Sequence, residues 1–135
     1  MRVAFGDCGR QVRCVRWGAC MWDGPFYRVR RDTYEISFVP KASEDLDCVC
    51  NVDMWVTFTD GYRWSGTVFT LSEVQRLLLR WQETGEALIG KYFAVWDGLI
   101  VRDAGIDAMV NVIDHLVATG EHEWALRPVG THTAG

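Results

Sequence analysis

No run of apolar residues approaches the roughly 20 that a membrane-spanning helix needs. The opening M-R-V-A-F-G-D-C-G-R also lacks an apolar stretch followed by a small-residue cleavage site. Both absences point to a cytoplasmic protein. Neither G-x-G-x-x-G nor a phosphate-loop pattern occurs; Gly85 and Gly90 bracket E-A-L-I, which reads as helix exit and strand entry. Cysteine is present but unpatterned. Five (Cys8, Cys14, Cys20, Cys48 and Cys50) is an odd count, and Cys48-Val49-Cys50 is C-x-C with no second Cys or His pair at zinc spacing. Reduced thiols are the expectation, with no metal site and no cofactor.

What is present fits one ordinary domain. The chain has 135 residues, 49% of them hydrophobic and 24% charged, enough to bury a core without staples. Its charge is uneven. Residues 1–31 hold seven basic residues against two acids, and the remainder holds seven against sixteen. The acidic body argues against direct nucleic-acid binding, where phosphate contacts need Lys and Arg, and suits a basic partner.

Residues 1–24 mix Gly, Cys, Arg and Trp without a period and read as an irregular basic N-terminal arm. The domain is expected over residues 25–128, followed by a frayed tail at 129–135. Within it, F-Y-R-V-R (26–30) and Y-E-I-S-F-V (34–39) predict a hairpin, and K-A-S-E-D-L-D (41–47) a polar loop. Val52, Met54, Val56 and Phe58 alternate with polar or off-face residues, so a half-buried strand follows. A three-residue loop, Thr59-Asp60-Gly61 with Gly61 left-handed, pairs Phe58 with Tyr62, Val56 with Trp64, Met54 with Gly66 and Val52 with Val68. A two-residue turn would mix the two faces, so the three-residue register is chosen. It leaves Trp55 on the opposite face, beside Ser65.

Thr70 and Glu73 form a capping box for a helix with Leu71, Val74, Leu77, Leu78 and Trp81 as its apolar stripe, closed by Gly85. Tyr92–Val95 and Leu99–Arg102 then read as a second hairpin around Trp96-Asp97-Gly98. A second helix carries Ile106, Met109, Val110, Ile113, Leu116 and Val117, with Asp103 as N-cap and Gly120 at its end. E-H-E-W-A-L (121–126) adds a short strand or turn. The expected fold is α+β: a mostly antiparallel sheet built from hairpins with two amphipathic helices packed on one side, in the order β-β-β-β-α-β-β-α.

Catalytic chemistry is weakly signalled. A Cys48 or Cys50 nucleophile with His115 or His122 as base is available by composition, but no spacing selects it. His115 suits the last turn of a helix, where positive charge opposes the dipole. The carboxylate pairs Asp45/Asp47, Asp103/Asp107 and Glu121/Glu123 fall where solvated loops and helix starts put them. In F-Y-R-V-R-R (26–31) basic and aromatic residues interleave as they do in single-strand nucleic-acid binders. The expectation is therefore no enzyme, with a small Cys/His enzyme or a nucleic-acid accessory protein as alternatives.

Seven tryptophans are many for this length. Trp64 and Trp81 fall on apolar faces; Trp55 falls on the off-face and Trp96 at a loop tip. The segments W-V-T-F-T-D-G-Y-R-W-S-G-T-V-F-T-L-S-E-V and T-G-E-A-L-I-G-K-Y-F-A-V-W-D-G-L-I-V resemble immunity proteins of bacterial polymorphic-toxin and contact-dependent inhibition systems. The likeness covers about residues 52–120 and departs at Ala94-Val95-Trp96. It implies a protein that neutralises a cognate toxin domain by stoichiometric binding, basic nucleases being one class of partner. Trp96, Asp97, Trp55, Asp53, Tyr92 and Glu86 are the expected toxin-binding residues; oligomeric state is open.

Overall fold

The structure is a computed structural model that describes residues 20–131. Seven strands form one sheet: β1 (Cys20–Asp23), β2 (Phe26–Arg30), β3 (Tyr34–Val39), β4 (Asn51–Phe58), β5 (Tyr62–Thr70), β6 (Gly98–Val101) and β7 (Arg127–Thr131). The first six lie in that order and β7 pairs with β5. Helices are α1 (Leu71–Thr84), a single turn α2 (Glu86–Gly90), α3 (Ile106–Thr119) and the short α4 (His122–Ala125). The α+β class and the mostly antiparallel sheet hold.

The β4–β5 register is the one alternation dictates: Val52↔Val68, Met54↔Gly66, Val56↔Trp64, with Gly61 at φ +98°. One face of the sheet therefore presents Val29, Ile36, Phe38, Met54, Val56 and Val68. α3 covers it with Ile106, Met109, Val110 and Ile113, all buried in a single cluster. Each such side chain contributes about 1.5–3 kcal/mol on burial. Arg31 clamps the β2–β3 turn onto α3 through Asp114 (2.9 Å), and the Tyr34 hydroxyl donates to the same carboxylate.

Several expectations are corrected. The sheet starts before residue 25: Cys20–Asp23 pairs with β2 across a turn in which Gly24 adopts φ +61°. The rest of the arm, residues 1–19, lies outside the described residues. Cys20 is disulfide-bonded rather than a reduced thiol; Cys48 and Cys50 are reduced, and Cys8 and Cys14 lie outside the described residues. Residues 129–131 are not frayed but belong to β7, antiparallel to β5; residues 132–135 are outside the description. Of the short strand or turn expected at E-H-E-W-A-L, it is a turn that forms, the helical α4, followed by Leu126 in the core. Asp103 does not cap α3; it pairs with Arg102 at 2.9 Å, and the N-cap position is Gly105 at φ +101°. Gly105 is required there because a Cβ would stand 2.9 Å from the Asp47 carbonyl oxygen.

The largest correction concerns residues 92–102, which form no hairpin. β6 runs parallel to β5, with Thr67↔Gly98 and Thr70↔Val101. α1 is thus the crossover of a β-α-β unit, the connection a parallel pair requires. Phe93 is not in a strand; it stacks on Trp81 (5.9 Å) and meets Phe69 edge-on (5.0 Å). Phe69 alternates with Val68, so α1 reaches the sheet face opposite to α3, and the two long helices do not share a side. Cover there is partial: Val74 is buried, Leu77, Leu78 and Trp81 are half-buried, and Leu71 is 61% exposed. Thr70 Oγ1 accepts from the Glu73 N–H (3.1 Å) as a cap should. The reciprocal half of the box is absent, because the Thr70 N–H donates to the Cys50 carbonyl. Glu73 is thereby released to Arg76 (2.7 Å).

Candidate functional site

Away from α1, no helix among the described residues covers the face opposite the core, and strand register assigns its occupants. One row runs Arg28, Ser37, Trp55, Ser65, Arg127; the next runs Phe26, Val39, Asp53, Thr67, Gly98. Trp55 is half-buried there and meets the Phe26 ring edge-on at 6.3 Å. Three guanidiniums lie over three aromatic rings: Arg28 over Phe26 (4.8 Å), Arg63 over Trp55 (5.7 Å) and Arg127 over Trp96 (4.3 Å). Such pairs are worth about 0.5–2 kcal/mol and hold flat rings in place.

The three arginines differ in charge balance. Arg28 is neutralised by Asp23 (2.9 Å) and Glu35 (3.1 Å) and donates to Ser37 Oγ (2.9 Å). Arg63 and Arg127 form no ion pair among the described residues, and the Arg63 Nε is buried without a hydrogen-bond partner. Among the described residues neither charge is neutralised. Asp53 accepts from Thr67 Oγ1 (2.7 Å), while the Thr67 N–H donates to the Asp97 carbonyl (3.0 Å). Thr67 thus ties the Asp53 side chain to the start of β6.

Four of the six residues expected from sequence converge here: Trp55 and Asp53 on β4, Trp96 and Asp97 at the entry to β6. Trp96 is 82% exposed, and Asp97 is half-buried. Tyr92 and Glu86 do not join them. Both are exposed in the α1–β6 connection, where Glu86 accepts from Thr84 Oγ1 (2.9 Å). Arg63, Arg127, Thr67 and Phe26 were missed as site residues. For Arg63 the signal was available, because the chosen β4–β5 register already puts it on the Trp55 face. Arg127 had none, since it precedes a proline in a stretch with no strand pattern.

The alternative chemistry fares less well on geometry. Cys50 Sγ faces Glu73 Oε1 at 3.7 Å. Burial, and then the Glu73 carboxylate, push the thiol above its ordinary value, which suppresses the nucleophilic thiolate. His115 sits at 3.6 Å from Glu121, exposed at the end of α3. Among the described residues no group of three or more His, Cys, Asp and Glu side chains is arranged to hold a metal ion. No helix among them is long and apolar enough to cross a membrane. No family model, curated protein or solved structure matches the chain.

Proposed function

We propose that this protein is an immunity protein that neutralises a bacterial toxin domain by stoichiometric binding, with the sheet face opposite α3 as its contact surface. The observation that carries this reading is Trp96: a large aromatic, 82% exposed, with an arginine stacked on its ring that has no carboxylate partner among the described residues. Trp and Arg dominate interface hot spots because they bury much area from a few well-fixed side chains. Trp55 with Arg63 repeats the arrangement on the neighbouring strands. The acidic body would speed encounter with a basic domain, and the Trp/Arg pairs would supply the short-range anchor.

The test is titration calorimetry against any toxin domain that a neighbouring gene encodes. Trp96→Ala should weaken binding by about 2–4 kcal/mol, roughly 30- to 1000-fold, without moving the melting temperature. Binding within about threefold of the parent would remove this face from the interface. A second reading draws on the same Arg63 and Arg127: open sheets with aromatic platforms and unpaired cations also stack single-stranded nucleic acid. Oligonucleotide binding that weakens steeply with salt, alongside no response to the toxin domain, would favour it.

A further inference from the structure

A cavity of about 320 Å³ opens at the turn end of the β4–β5 hairpin, on the α3 side of the sheet, lined by Phe58, Asp60, Tyr62, Trp64, His122 and Glu123. We propose that it binds an organic cation, an alkylammonium or guanidinium group. It stands apart from the proposed toxin contact, which uses the opposite face.

The walls are aromatic. His122 on α4 lies 5.3 Å from the Phe58 ring and 5.2 Å from Trp64, meeting the latter edge to face. Tyr62 adds a half-exposed ring at the mouth. Aromatic faces attract a cation through their quadrupole, and quaternary and alkylated ammonium groups are what cages of such rings hold. The two charged residues in the lining are both acidic. Asp60 spends Oδ1 on the Tyr62 N–H (3.0 Å), and neither Asp60 nor Glu123 forms an ion pair among the described residues. An anion would meet two unscreened carboxylates here. A neutral ligand would leave them without a partner. A cation satisfies carboxylates and rings together.

His122 is the most buried residue of the lining. Its side chain is only 8% exposed and its Nδ1 is buried with no hydrogen-bond partner. That nitrogen lies beneath the cavity surface, so the rings and the carboxylates are what a bound cation touches. The volume sits at the lower end for small-ligand sites, which suits one side-chain head group or one small cation.

The experiment titrates the full chain with tetramethylammonium, butylammonium and butylguanidinium chlorides at constant ionic strength, following the Trp64 indole N–H by NMR. Sodium butyrate and the uncharged 3,3-dimethylbutanol serve as controls. A saturable shift with the cations and none with the controls is expected. Glu123→Gln and Asp60→Asn, each tested separately, should each weaken it about threefold. Glu83→Gln, a helix carboxylate elsewhere, should not. Capped Gly-Lys-Gly and Gly-Arg-Gly peptides distinguish the source of the cation. Tighter binding than the free cations assigns the pocket to a protein side chain, and weaker binding assigns it to a small molecule. No saturation with any cation, equal shifts from dimethylbutanol, or unchanged affinity in both carboxylate variants would overturn the proposal.

Discussion

Gly85 and Gly90 are five residues apart, both left-handed at φ +91° and +74°, and substitution should affect them very differently. At Gly85, the C-cap of α1, a Cβ would meet nothing within 4 Å. Gly85→Ala therefore carries only the conformational cost of a left-handed L-residue, about 1 kcal/mol. At Gly90 a Cβ would stand 2.1 Å from the Leu78 carbonyl oxygen and 3.0 Å from the Gln82 nitrogen. Both are backbone atoms of α1 and cannot rotate away. Gly90→Ala must then displace α2 from α1, adding an overpacking cost of about 1–3 kcal/mol to the same conformational cost. Urea unfolding followed by tryptophan fluorescence measures both, with equal slopes checking that the unfolded states are comparable. A loss near 1 kcal/mol at Gly85 and about 2–4 kcal/mol at Gly90 is expected. Equal losses would refute the close approach. The same contact bears on the strained turn between the glycines. Ala87, Leu88 and Ile89 take φ of 49°, 54° and 61° in succession, a left-handed turn that costs about 1–2 kcal/mol per residue. It persists because Gly90 seats against α1 on one side and Phe93 stacks on Trp81 just beyond.

Two further outcomes follow from Glu73. Its carboxyl is held below its ordinary value chiefly by the Arg76 hydrogen bonds, so the stabilisation is full above about pH 4.5 and fades as pH falls through the lowered folded value. Arg76→Gln should cost about 1 kcal/mol or less at pH 7, Arg76 being largely exposed, and the difference from the parent should vanish in acid unfolding. Cys50, whose thiol is raised first by burial and then by Glu73, should alkylate with iodoacetamide about tenfold more slowly in the native chain than in urea at pH 7.5, by peptide mass mapping. Glu73→Gln should quicken it, and a native Cys50 as fast as the unfolded one would revive the Cys/His enzyme reading.

The parts of the fold legible in sequence are those where one physical signal has one solution. In the β4–β5 hairpin only one register keeps Val52, Met54 and Val56 on the buried face, and Gly61 permits the turn it needs. Thr70, Gly85 and Gly120 mark helix ends by chemistry that acts within a few residues. Residues 92–102 failed for the opposite reason. An aromatic stretch, a Trp-Asp-Gly turn and an aliphatic stretch satisfy a hairpin locally. What decides against it is remote: β5 has an edge available to a parallel strand, and α1 returns the chain to it. Nor does any propensity forecast Ala87, Leu88 and Ile89 in left-handed conformations. Asp103 was a plausible cap, but Gly105 sits against Asp47, a contact outside local reach.

That remote pairing is also what builds the candidate site. The outer edge of β5 is divided, with β6 pairing along Thr67–Thr70 in parallel and β7 pairing along Tyr62–Ser65 in the antiparallel sense. Both strands therefore begin near the middle of β5 and diverge from it. Trp96 and Asp97 precede the first residue of β6, and Arg127 is the first residue of β7, opposite Ser65. The Arg127 guanidinium over the Trp96 ring joins the two at the point where they part. The divided edge brings the starts of two strands together, and the Asp97 carbonyl at the entry to β6 accepts from the Thr67 N–H. That is how the 82% exposed Trp96 comes to lie under Arg127. Trp55 and Asp53 reach the same point from the other side of β5, through Ser65 and Thr67. Residues more than forty positions apart meet because a single strand is shared. The hairpin expected at 92–102 would have left Trp96 at a free tip, without Arg127 and without the Thr67 bridge to Asp53. The parallel arrangement makes those four residues one surface.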